Sequence, residues 1–124
     1  MKYLIGLLFL ISSVFSQVTD KNFKDEAGKG VVIIKFTSEW QEKDLDPAIL
    51  KGLEGYEDAT ILEADSDVTK KLCKKLRIRN FPSIALYING DKMDVWKADM
   101  DGEVDCTKGD IKDAIDDGLA AEQF

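Results

Sequence analysis

Two rhythms of apolar positions run through this chain, one with the period of a strand and one with the period of a helix. Val31-Val32-Ile33-Ile34 is an unbroken β-branched run, too short for a helix and suited to a strand buried on both faces, with Lys35 and Phe36 extending it. Thr60–Ala64 reads as a second strand and Ser83–Ile88 as a third. Asn89-Gly90 then turns the chain into Met93–Ala98, which alternates as a fourth strand. Helical spacing fills the gaps. Thr19 or Asp20 is placed to cap a first helix ending near Gly28 and Gly30. Asp46-Pro47 opens a second, with Ala48, Ile49, Leu50 and Leu53 as its apolar face and Gly55 at its close. Ser66 or Asp67 opens a third, burying Val68, Leu72, Cys73 and Leu76. Thr107 caps the last, whose inner face holds Ile111, Ala114, Ile115 and Leu119. The order is α-β-α-β-α-β-β-α, which implies parallel pairing early in the chain and an antiparallel hairpin late.

The N-terminus follows neither rhythm. Lys2, the apolar run Leu4–Ile11 and the small residues Ser13 and Ser16 have the layout of a secretory signal, with cleavage after Ser13 or Ser16. The run is well short of the ~20 residues of a spanning helix, so no stable membrane span is expected after cleavage. The expected organisation is a signal over residues 1–16 and one domain over 17–124. The expected location is outside the cytoplasm: secreted, periplasmic or in the lumen of the secretory pathway. Ala121-Glu122-Gln123-Phe124 is not a Lys-Asp-Glu-Leu type retention signal.

Charge and composition narrow the chemistry. The formal net charge is −7, which argues against nucleic acid as a partner. The sequence has no histidine, so Ser-His-Asp and Cys-His catalysis and the usual zinc sets are excluded. Neither a cofactor nor a metal site is expected. The alternating acids between Ala98 and Asp105 lack the spacing of a calcium loop and read as a solvated loop. Only two cysteines occur, Cys73 and Cys106. Export makes a disulfide between them a candidate, and the alternative for Cys73 is a small apolar residue on its helix.

Four segments resemble the thioredoxin family, including the single domains of protein disulfide isomerases. Val31–Trp40 resembles the family's central strand and the Trp before its active site. Arg77–Ser83 resembles the segment with the cis-proline, Tyr87–Asp91 the following hairpin, and Thr107–Ile111 the start of the last helix. The resemblance covers roughly Val18 to Leu119. It implies an α/β, three-layer fold with a central mixed sheet of four to five strands flanked by helices.

The departures from the family bear most on function. Where the resemblance places Cys-x-x-Cys after Trp40, this chain has Gln41-Glu42-Lys43-Asp44. A thiolate is the attacker in disulfide exchange, and neither Gln41 nor Asp44 supplies one. Lys35 stands where the family often buries an acid, and a partly buried ion pair between Lys35 and Asp44 is expected to replace the lost redox pair. The retained Pro82 implies a surface at Trp40, Phe81, Pro82 and Ser83 for an extended peptide or partner protein. The favoured function is thus an exported, redox-inactive binding or structural module. The alternatives are a divergent oxidoreductase working through Cys73 or Cys106, and a domain that assembles with itself or a complex.

Overall fold

The computed structural model describes residues 17–41 and 43–122; the signal-like segment and Glu42 lie outside them. Four strands form one mixed sheet: β1 (Val31–Thr37), β2 (Thr60–Asp65), β3 (Ser83–Ile88) and β4 (Asp91–Trp96). Their order across the sheet is β2-β1-β3-β4, with β1 and β2 parallel and the other pairs antiparallel. Among the described residues four α-helices flank it: α1 (Phe23–Glu26), α2 (Pro47–Leu50), α3 (Lys70–Leu76) and α4 (Lys108–Glu122).

The β-branched run at the centre explains the layering. Side chains alternate across a strand, so Val32, Ile34 and Phe36 enter one core with Leu72, Cys73 and Leu76 of α3. Val31 and Ile33 enter the other, with Ile111 and Ile115 of α4. Both faces of β1 are covered, and burial of its apolar residues is complete or nearly so. The hairpin between β3 and β4 turns on Asn89 and Gly90, both left-handed at φ 51° and 86°. That geometry matches the twist of the strands it joins. Asn89 also locks the turn to the loop before β1, accepting from the Gly30 amide at 2.9 Å through Oδ1.

The helices depart from the sequence pattern in instructive ways. The first is one turn, its start fixed by a reciprocal pair: Thr19 N–H donates to Asn22 Oδ1 at 2.7 Å, and Asn22 N–H to Thr19 Oγ1 at 3.2 Å. Asp20, expected as a cap for this helix, instead accepts from the Lys71 and Leu72 amides of α3, each at 3.0 Å. Helix α3 accordingly begins at Lys70, not at Ser66 or Asp67, and Val68 lies in the preceding turn, 43% exposed. Asp46 caps α2 through Ala48 N–H at 3.0 Å, but that helix ends after one turn and a 3-10 segment follows at Tyr56–Asp58. The last helix starts as read: Thr107 and Asp110 exchange backbone-to-side-chain bonds of 2.8 and 3.1 Å.

Candidate functional site

Three of the family-like segments, the end of Val31–Trp40, Arg77–Ser83 and the start of Thr107–Ile111, meet at one end of the sheet, whereas the Tyr87–Asp91 hairpin lies at the other, beside Gly30. Residues 38–41 and 43–46 leave β1 without forming a helix before Pro47, and Arg79–Pro82 lead into β3 beside them. The loop 99–105 closes the third side, pinned by an isolated bridge between Ala98 and Val104. Together they enclose an open groove of about 600 Å³ whose walls include Trp40, Gln41, Lys43, Phe81, Met100 and Glu103. Trp40 and Met100 are 86% and 93% exposed, the two most exposed large apolar side chains among the described residues.

Gln41 holds the loop together. Its Oε1 accepts from Ser38 N–H at 2.8 Å and its Nε2 donates to Lys43 C=O at 3.0 Å, so both ends of the amide are occupied by backbone. Lys43 reaches across the groove to Glu103 at 3.1 Å, and that hydrogen bond holds its ammonium above the usual lysine range. This clasp ties the degenerate loop to the 99–105 loop; it was not visible in the sequence because its partners are 60 positions apart.

Behind the loop, Lys35 Nζ lies 3.3 Å from Asp44 Oδ1 and 3.7 Å from Glu63 Oε1. Only the lysine end is shielded: its side chain is 18% exposed, whereas that of Asp44 is 80% exposed. The Asp44 carboxyl is held below its ordinary range, first by the Leu45 amide, which donates to it at 2.9 Å, and then by Lys35. The pair is a half-shielded anchor at the surface and not a pair sealed inside the core.

Two of the expected peptide-contacting side chains face inward. Pro82, preceded by a cis peptide bond, and Ser83 are both fully buried. Ser83 Oγ donates to Asn80 C=O at 2.8 Å and accepts from Ala98 N–H at 2.9 Å. It joins the segment before β3 to the root of the 99–105 loop and thereby positions the groove's walls. Of the four expected residues, Trp40 and Phe81 line the groove itself.

The candidate disulfide is not formed. Both cysteines are free, and they belong to cores on opposite faces of the sheet, Cys73 with α3 and Cys106 with α4. Burial raises the Cys73 thiol. Burial, with Asp110, Asp94 and Asp105 nearby, pushes Cys106 up to about 12. At neutral pH that leaves about one thiolate in 10⁵ at Cys106. Among the described residues, the carboxylates of Glu39, Asp65 and Asp67 come within 4.8 Å of one another, as a divalent cation would need; two of the three are open to solvent.

Comparison with known proteins bears directly on this architecture. The family model described as Thioredoxin matches residues 14–117. The chain belongs to the thioredoxin family. Among curated proteins, it is 29% identical over 96 residues to "Protein disulfide isomerase-like 2-3" of Oryza sativa subsp. japonica, a match covering 69% of this chain and 21% of that protein. This thioredoxin-family chain thus spans about a fifth of the length of that relative. Its fold is shared with the Malassezia sympodialis thioredoxin Mala s 13, at TM-score 0.56 and 19% identity over 80% of this chain and 87% of the other. A chain from a structural study of thiol resolution in yeast mitochondrial 1-Cys peroxiredoxin via glutathione/thioredoxin systems superposes with TM-score 0.60 at 17% identity, over 83% and 94% of the two chains. The first two thioredoxin domains of Naumovozyma dairenensis Eps1p match at TM-score 0.54 and 23% identity, over 68% of this chain and 35% of that one.

Proposed function

We propose that this thioredoxin-family chain is an exported, redox-inactive module that binds an extended segment of a partner protein in the groove between Trp40 and Met100. The observation that carries the reading is the pairing of two open apolar side chains across a groove whose nucleophile position holds Gln41, itself bonded to backbone at both ends of its amide. A peptide laid there would bury the indole and the thioether, worth about 25 cal/mol per Å² of apolar surface covered. Export rests on the signal-like residues 1–16; in addition, no helix among the described residues is long and apolar enough to cross a membrane.

An oxidoreductase reading through Cys73 or Cys106 is disfavoured by the burial of both thiols and by the upward shift of each. A thiol held above its ordinary ionisation range attacks disulfides slowly.

Titration calorimetry with a permanently unfolded, cysteine-blocked polypeptide tests the binding reading. The parent chain is expected to bind it, and a Trp40→Ala/Met100→Ala variant to bind at least about tenfold more weakly. Equal binding by the two would refute the groove assignment. Insulin reduction with dithiothreitol tests the redox half: turnover abolished by Cys73→Ser or Cys106→Ser would refute inactivity.

A further inference from the structure

Charge is unevenly distributed in this acidic protein. Six of its 17 lysines and arginines lie in the ten residues Lys70–Arg79, with no acid among them. All six are exposed, and none makes an ion pair among the described residues. Four of them, Lys70, Lys74, Arg77 and Arg79, line one surface groove of about 410 Å³, the first three as a row along α3 and its C-cap; Asp67 is the single acid that also borders it. The apolar side of α3 is consumed by the core through Leu72, Cys73 and Leu76, so this helix has no apolar face left to insert into a lipid surface.

A matching row lies on the other side of the molecule. Asp110, Asp113 and Asp117 of α4 line a groove of about 500 Å³ with Asp94 of β4, floored by the half-buried Met93 and Trp96. The aliphatic stems and cationic heads of lysines suit such a floor. Lys112 is turned away, its Nζ 5.1 Å from the centre of the Tyr56 ring.

The spacing of the two rows is reversed. The cations step by four residues and then three (70, 74, 77), the carboxylates by three and then four (110, 113, 117). At a helical rise of 1.5 Å per residue, both rows are about 10 Å long with their gaps in opposite order. An antiparallel approach therefore sets Asp117 against Lys70, Asp113 against Lys74 and Asp110 against Arg77. Within one molecule this is impossible, because α3 and α4 pack on opposite faces of the sheet.

We infer that the α3 row docks on the α4 row of a second copy of this chain. The contact is head to tail: each copy offers a cationic face on one side and an anionic face on the other. Repetition of such a contact builds open chains or a ring and not a two-fold dimer. Exposed charges screened by salt give a weak, ionic-strength-dependent association.

Sedimentation of the purified protein from about 10 μM to about 1 mM, the range of weak complexes, tests this. At about 50 mM salt, mass is expected to rise with concentration past the dimer, and to fall to that of a monomer at about 0.5 M salt. Lys70→Glu/Lys74→Glu and Asp113→Lys/Asp117→Lys are each expected to lower association by at least about tenfold, and an equimolar mixture of the two to restore it. All four positions are exposed, and circular dichroism of each variant checks that it is folded. The substitutions move the net charge of −7 by four units down and four units up, so both variants stay anionic and bulk attraction cannot explain a rescue. Lys70→Gln/Lys74→Gln should show a smaller loss. A parent that stays monomeric throughout, one that stops at a dimer, or a folded mixture that fails to associate would overturn the proposal. Binding of poly-glutamate to α3 without self-association would also overturn it, reassigning the row to a different acidic partner.

Discussion

Replacing Ser83 by alanine removes one buried oxygen that performs two tasks. Ser83 is fully buried, its Oγ accepting from the Ala98 amide at 2.9 Å and donating to the Asn80 carbonyl at 2.8 Å. Asn80 is half-buried, so its carbonyl can turn to water, and its lost bond costs about 1 kcal/mol or less. Ala98 is buried, and alanine at 83 offers its amide nothing; an orphaned buried donor costs about 1–3 kcal/mol. The orphaned amide dominates, giving a loss of about 2 kcal/mol in total. For a domain near 100 residues this lowers Tm by about 8–15 °C. Urea denaturation followed by circular dichroism reads the loss as a lower midpoint at unchanged slope. Hydrogen exchange locates it: protection should fall first at Ala98 and in the 99–105 loop, whose root the serine holds. A variant within about 0.5 kcal/mol of the parent, or one that loosens elsewhere first, would refute the role given to Ser83.

Asp20→Ala strips the cap from α3, leaving the Lys71 and Leu72 amides without their carboxylate; a loss of about 1–2 kcal/mol is expected by urea denaturation, and about half of it in Asp20→Asn. Gly118→Ala gains about 1 kcal/mol of helix propensity, but its methyl would sit 2.5 Å from Cδ1 of the fully buried Ile88 and 3.1 Å from Met93 Sδ. Overpacking of about 1–3 kcal/mol outweighs the gain, so thermal melting should show a net loss. Asp44 has a depressed pKa in the folded state, so its stabilising contribution is present above the ordinary value of 3.8 and disappears as pH falls through the lower folded value. Asp44→Asn should flatten the acid limb of the stability curve there. Cys106 is shifted from 9.0 up to about 12, so its contribution is full below pH 9 and is lost as pH rises towards 12. Cys106→Ala should reduce the alkaline loss seen in denaturation at pH 9–11.

Several elements were set by local pattern. Val31–Ile34 had to be a strand covered on both faces, because four consecutive β-branched residues leave no polar side for water. Asn89-Gly90 had to turn, because both residues tolerate the left-handed backbone a tight hairpin needs. Thr107 and Asp110 marked the start of α4 three residues apart, within reach of each other's amides. The absence of sulfur from positions 41–44 is likewise plain in the sequence.

Other features depended on which distant segments the sheet brings together. The sequence offered Ser66 and Asp67 as caps for α3, yet Asp20, about 50 positions earlier, arrives at its amides and moves the start to Lys70. Cys73 and Cys106 looked bondable only until the sheet separated them. Ser83 looked like a surface residue beside Pro82 until its hydroxyl turned inward to Ala98. The groove itself joins Trp40 to Met100, and the two charged rows lie on opposite faces of the sheet. Periodicity and turn chemistry act over a few residues and are legible in order along the chain. Caps, clasps and clefts depend on strand order and on which face each helix covers, and these become definite only once the layers have closed.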